Sequence, residues 1–151
     1  MARLNYFLPA LLFLGLGLQG LNAQRSLDAA KPQNLFAGTS WKADGVPFGD
    51  IQRESYTLTA ISEDDSFQSQ WGHFITFDQT SFVTHYSAPC GNDCFTTVTG
   101  EYEFVASFKI HIFVQSIARH GLCQQESDME GQEYGYYLVE RTETGWIITK
   151  G

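Results

Sequence analysis

The run S-A-P-C-G-N-D-C-F-T-T-V-T-G-E-Y-E-F, from Ser87 to Phe104, decides the fold. Gly, Asn and Asp tolerate left-handed backbone angles, so Gly91-Asn92-Asp93 reads as a turn between two strands. A hairpin closed there sets Cys90 opposite Cys94, Tyr86 opposite Val98, Thr84 opposite Gly100 and Phe82 opposite Tyr102. One face then carries Phe82, Thr84, Tyr86, Val98, Gly100, Tyr102 and Phe104. The other carries Val83, His85, Ser87, Thr97, Thr99, Glu101 and Glu103. Slipping the pairing by one residue would turn the apolar set outward, so the alternation specifies the buried face.

The next turn follows from the same test. A loop of Ala106-Ser107-Phe108 pairs Phe104 with Ile110, Tyr102 with Ile112 and Gly100 with Val114. A loop one residue shorter would turn Lys109, His111 and Gln115 toward the apolar face, and burying an unpaired lysine is costly. In this register His111 and Phe113 point outward.

Both hairpins carry the three cysteines to one end of the sheet. Three pairings exist. A Cys90–Cys94 bridge closes a short loop and is worth about 2 kcal/mol on the chain-entropy account, and a bridge from either to Cys123 about 3.6 kcal/mol. Cys94 begins its strand where the neighbouring strand finishes near Cys123, which favours Cys94–Cys123 with Cys90 spare or an alternative partner.

Outward from this centre, the N-terminus reads as an export signal. Arg3 supplies a positive start, Tyr6 to Leu18 is leucine-rich and nearly uncharged, and Leu21-Asn22-Ala23 resembles a cleavage site. The apolar run is short and interrupted by glycine for a membrane span. The expected organisation is a signal peptide over 1–23, a flexible leader over 24–34 and one β-barrel domain over 35–151, in a secreted or periplasmic protein. Disulfides suit that compartment. The formal net charge is −8, one unit more negative without Arg3. Such an acidic chain lacks the basic surface that nucleic acid or anionic lipid requires.

Strands are expected around Trp41, over Ser55–Ile61, His73–Asp78, Ser81–Ala88, Thr96–Val105, Lys109–Ala118, Tyr134–Thr142 and Trp146–Lys150. Asp44 to Asp50 is turn-rich, and Arg119 to Glu133 reads as a longer polar loop able to carry recognition. No segment sustains a helical period. Seven to eight strands joined mostly by tight turns predict an all-β fold. The first choice is a small antiparallel up-and-down barrel, whose closure removes exposed edges, and the second an open β-sandwich.

Two short patterns resemble known families. Gly38-Thr39-Ser40-Trp41 is similar to the opening G-x-W signature of lipocalins, with one extra residue. Cys94, Gly100-x-Tyr102, Ile110-x-Ile112 and Cys123 resemble secreted META-domain proteins, in which a glycine-cysteine-asparagine turn pairs with a distal cysteine; here the order is Cys90-Gly91-Asn92-Asp93-Cys94. The resemblance implies a calycin-type, lipocalin-like barrel and carries over no activity.

The aromatic residues admit two accounts, core packing and ligand binding. Phe82, Tyr86, Tyr102 and Phe104 share the expected interior face, where rings would bury an apolar or amphipathic ligand and a tyrosine hydroxyl would orient it. Packing of the same rings against one another is the preferred account for a chain with 12 Phe, 7 Tyr and 3 Trp, since a barrel this small can be filled by its side chains. Tyr134, Tyr136 and Tyr137 form a second aromatic group. His73, His85, His111 and His120 lack the spacing of a metal motif, and Glu63-Asp64-Asp65 lacks that of a calcium loop. No G-x-S-x-G elbow is present, and Glu101 and Glu103 lie on the polar face without a cleft. Neither catalysis nor a metal or other cofactor is expected. The expected function is an exported binding module carrying a small molecule, or alternatively a structural or inhibitory envelope protein that contacts another protein.

Overall fold

A computed structural model describes residues 32–61, 71–89, 93–123 and 129–151. The expected signal peptide, the Glu63-Asp64-Asp65 cluster and the Cys90-Gly91-Asn92 part of the turn lie outside the described residues. Eight strands form: β1 Thr39–Ala43, β2 Ser55–Ala60, β3 Gly72–Phe77, β4 Ser81–Ser87, β5 Cys94–Ala106, β6 Lys109–Gly121, β7 Met129–Arg141 and β8 Gly145–Lys150. They close into an antiparallel barrel in the order β1-β2-β8-β7-β6-β5-β4-β3. The all-β barrel is thus the fold, up-and-down from β3 to β8. Near the start, β1 sits between β2 and β3, so β2 and β3 run in the same direction on either side of it. Among the described residues no helix is long and apolar enough to cross a membrane.

Period-two alternation explains the walls. In β5, Thr96, Val98, Gly100, Tyr102 and Phe104 are buried and the intervening residues are not. Phe104, Tyr102 and Gly100 pair with Ile110, Ile112 and Val114, as the alternation requires. The turn achieves this differently from expectation. Ala106 pairs with Lys109, leaving a two-residue turn of Ser107 and Phe108, and a bulge between Phe104 and Ala106 restores the face. A second bulge between Thr99 and Gly100 shifts the pairing so that Ile117 joins the core.

The β4–β5 register also differs. Phe82 pairs with Gly100 rather than Tyr102, a shift of two residues that leaves every side chain on its expected face. The ladder ends at Val83 and Thr99, and the Val98 N–H donates instead to Thr84 Oγ1 at 2.8 Å. The buried threonine hydroxyl thus takes over a backbone partner where the strands part. Tyr86 consequently does not reach Val98; it stacks on His73 at 4.6 Å.

The expected Arg119–Glu133 loop shrinks, because β6 continues to Gly121 and β7 begins at Met129. Backbone pairing with β6 needs no apolar side chains, so polar composition concealed this part of the strand. A bulge in β7 sets Ile112 opposite Gly135 and Phe113 opposite Glu133, leaving Tyr134 as the extra residue. Gly135 adopts φ 90°, the left-handed backbone such bulges use. Tyr134 and Tyr137 are therefore both buried, and Tyr136 faces out.

One end of the barrel, the turn end, is closed by the turns after β3, β5 and β7. Asn34, the last residue of the expected leader, anchors the chain there. Its Oδ1 accepts the Phe36 and Ala37 N–H groups at 3.0 and 3.1 Å, and its Nδ2 donates to the Gln79 carbonyl at 2.8 Å. At the opposite, loop end, the Cys94–Cys123 disulfide ties the start of β5 to the segment after β6, with Cα atoms 4.6 Å apart. Cys90 lies outside the described residues.

Candidate functional site

Three of the four residues expected to line a ligand space are fully interior. Phe82, Tyr102 and Phe104 belong to one continuous core cluster. Phe36, entering from the turn end, stacks on Phe77 at 4.6 Å and meets Phe104 at 5.5 Å and Trp146 edge-on at 5.6 Å. Phe77 in turn packs edge-on against Tyr102 at 5.0 Å. The Tyr102 hydroxyl donates to the Asp78 carbonyl at 2.7 Å and lies 3.1 Å from Asn34 Oδ1. Burial raises its pKa. Gly100 leaves no vacancy beside these rings: a Cβ there would meet the Phe113 carbonyl oxygen and, at 2.6 Å, the Phe82 ring. The turn-end half of the barrel is filled by its own side chains. Tyr86, half-buried, lies apart from that cluster, with its hydroxyl 3.3 Å from Asp93 Oδ2.

At the loop end, the segment joining β1 to β2 folds into the barrel. Phe48 is fully buried and packs edge-on against Phe82, Tyr137 and Tyr56 at 5.1, 5.3 and 5.4 Å. It does so at φ 58°, the one positive φ outside glycine among the described residues. A bulky side chain in that region costs on the order of 1–3 kcal/mol. Two phenols, Tyr56 and Tyr137, thus pack against it, and a third, Tyr134, is buried on the same strand as Tyr137. Burial pushes the pKa of Tyr56 up to about 12, and raises those of Tyr134 and Tyr137. Tyr56 donates to the Asp50 carbonyl at 3.2 Å. Among the described residues, Tyr134 Oη and Gln132 Oε1 are buried without a hydrogen-bond partner. The turn-rich composition of Asp44 to Asp50 hid Phe48 from the sequence reading. Its Val46-Pro47-Phe48 apolar run was the available signal.

The outer face of β5, β6 and β7 is different in kind. Val105, Phe108, Phe113, Tyr136 and Leu138 are exposed there, Leu138 by 53% and Phe108 by 58%. Leu138 is paired with Lys109, and Tyr136 with His111. Lys109 Nζ lies 4.7 Å over the Tyr136 ring. His111 Nε2 is 3.1 Å from Glu133 Oε1, and its Nδ1 is 4.0 Å from Glu103 Oε1. Glu101 accepts a hydrogen bond from Gln115 Nε2 at 2.8 Å. Apolar side chains are thus interleaved with a strongly acidic border.

The other histidines are scattered. His73 pairs with Tyr86, and burial followed by the nearby Arg53 charge lowers its pKa. His85 stacks on Phe74 at 5.0 Å, with its pKa lowered by burial. His120 lies parallel to Phe95 at 6.4 Å. Among the described residues, no group of three His, Cys, Asp or Glu donors is arranged to hold a metal ion. Comparison with protein-family models, curated proteins and solved structures returns no significant match.

Proposed function

We propose that the chain is an exported, non-catalytic binding module that recognises a protein partner through the outer face of β5, β6 and β7. The observation that carries this reading is the contrast between a barrel interior packed with its own rings and three long strands that expose Val105, Phe113, Tyr136 and Leu138 outward, with Phe108 exposed in the turn between two of them. Exposed apolar surface bordered by charge is characteristic of interaction sites. The border here is Glu101, Glu103 and Glu133, so the matching surface presents apolar groups flanked by basic side chains. The Cys94–Cys123 disulfide and the signal-like N-terminal sequence support export. The lipocalin-like and META-like patterns support the same reading, a secreted calycin-type barrel.

A photo-crosslinking residue placed at Leu138 in the exporting host tests this, with one at Thr57, exposed on β2, as control. The reading predicts one dominant protein adduct from position 138 and none from position 57. Equal adduct patterns from both positions, or none from either, contradict it.

A further inference from the structure

We propose that the loop end of the barrel is also a binding site for a small amphipathic molecule with a flat apolar body and a hydroxyl or amide head. The body takes the place of the Phe48 ring, and the head hydrogen-bonds with Tyr134 Oη and Gln132 Oε1. This site is distinct from the outer face and rests on separate observations.

The first is the plug itself. Phe48 is held at φ 58°, a backbone conformation that a side chain of its size rarely adopts. Strain of this kind persists where the surroundings force it and collects at ligand clamps and switches. Here the surroundings are three aromatic rings at 5.1 to 5.4 Å. Asp44, at the start of the segment, forms an ion pair with Arg53 at 2.6 Å and accepts the Thr57 N–H at 3.1 Å. Three further bonds are at the long end of the range. Tyr56 to the Asp50 carbonyl, Gly49 N–H to Val46 and Asp44 N–H to Thr57 each measure 3.2 Å. Withdrawal of Phe48 would give up its packing on these rings, which the incoming flat body replaces, and leave a space walled by Tyr56, Phe82 and Tyr137.

The second is the pair of orphaned polar atoms. Tyr134 is only 6% exposed, and its hydroxyl has no partner among the described residues; Gln132 Oε1 is likewise buried and unpaired among them. Buried polar atoms are nearly always paired, and these two lie on the same strand on either side of Glu133. Together they offer a hydroxyl that donates or accepts and a carbonyl that accepts, the complement of a hydroxyl or amide. Tyr134 and Tyr137 are neighbouring interior residues of β7, and Phe48 packs against Tyr137 at 5.3 Å. The strained ring and the unpaired atoms therefore border one region. A hydroxyl-bearing aromatic ring meets both halves of it; an ordered water would satisfy only the polar half.

The probes are p-cresol and toluene, which share a ring and a methyl and differ by the hydroxyl. Each is titrated into the wild-type chain while the Phe48 ring and Gln132 side-chain amide resonances are followed by NMR. Saturable shifts at both residues are expected, with p-cresol about tenfold tighter than toluene, the worth of one buried hydrogen bond. Tyr134→Phe is expected to abolish that preference, and Gln132→Leu to reduce it in the same direction, so either variant that folds serves. The absence of a saturable shift, equal binding of the two probes by the wild type, or a preference that survives the substitutions would overturn the proposal.

Discussion

At the scale of single residues, the interior is governed by what its polar atoms can reach. Tyr102 and Tyr56 each find a backbone carbonyl, Thr84 replaces a missing ladder partner, and Tyr134 finds none among the described residues. The raised phenol pKa values give this a measurable consequence. Between pH 10 and the folded-state pKa of about 12, unfolded Tyr56 has lost its proton while folded Tyr56 keeps it. The unfolded state then binds fewer protons, so stability falls as pH rises through this window. For Tyr56 alone the loss is on the order of 2–3 kcal/mol; Tyr102, Tyr134 and Tyr137 act in the same direction. Urea denaturation from pH 9 to 12 should show a steadily falling midpoint. Tyr56→Phe should flatten that fall, whereas an unchanged slope would mean the phenol is solvated.

Elements are held by pairing, and here the alternation of apolar residues proved a good guide to face and a poorer one to register. From Phe104 to Gly100 the β5–β6 partners are those the alternation demands, because facing strands that both bury alternate residues accept no odd shift. The β4–β5 pairing moved by two, a change that alternation cannot detect. In β7 the left-handed Gly135 introduces a bulge that splits Tyr134 from Tyr136, two residues that a regular strand would place on one face. The bulge depends on pairing with β6 and is invisible to a reading of β7 alone. The disulfide was legible because both hairpins deliver Cys94 and Cys123 to one end. Its removal by Cys94→Ser with Cys123→Ser is expected to lower stability by about 3.6 kcal/mol on the chain-entropy account of a loop spanning 29 residues. Denaturant unfolding of the double variant checks this, and a loss under about 1 kcal/mol would show the loop to be already constrained by strand pairing.

For the whole molecule, closure into a barrel removes sheet edges, so the surfaces left for recognition are the two ends and the outer faces. The barrel class was readable from eight short alternating segments, but the exchange of β1 and β2 was not. The chain between Ala60 and Gly72 is longer than a tight turn, and Tyr56 and Leu58 would be buried equally well beside either neighbour. The filled interior was legible only in part. Phe82, Tyr102 and Phe104 were correctly faced inward, while Phe36 and Phe48, which fill the space between them, come from outside the strands. That filling supports the proposal that recognition lies on the outer face around Leu138. The most direct test of this proposal is the native mass of the chain recovered undenatured from the cells that produce it, measured for the wild type and for Leu138→Glu. A protein complex in the wild type that the charged variant loses is the result predicted. The same bare chain in both, or a complex that the substitution leaves intact, would contradict it.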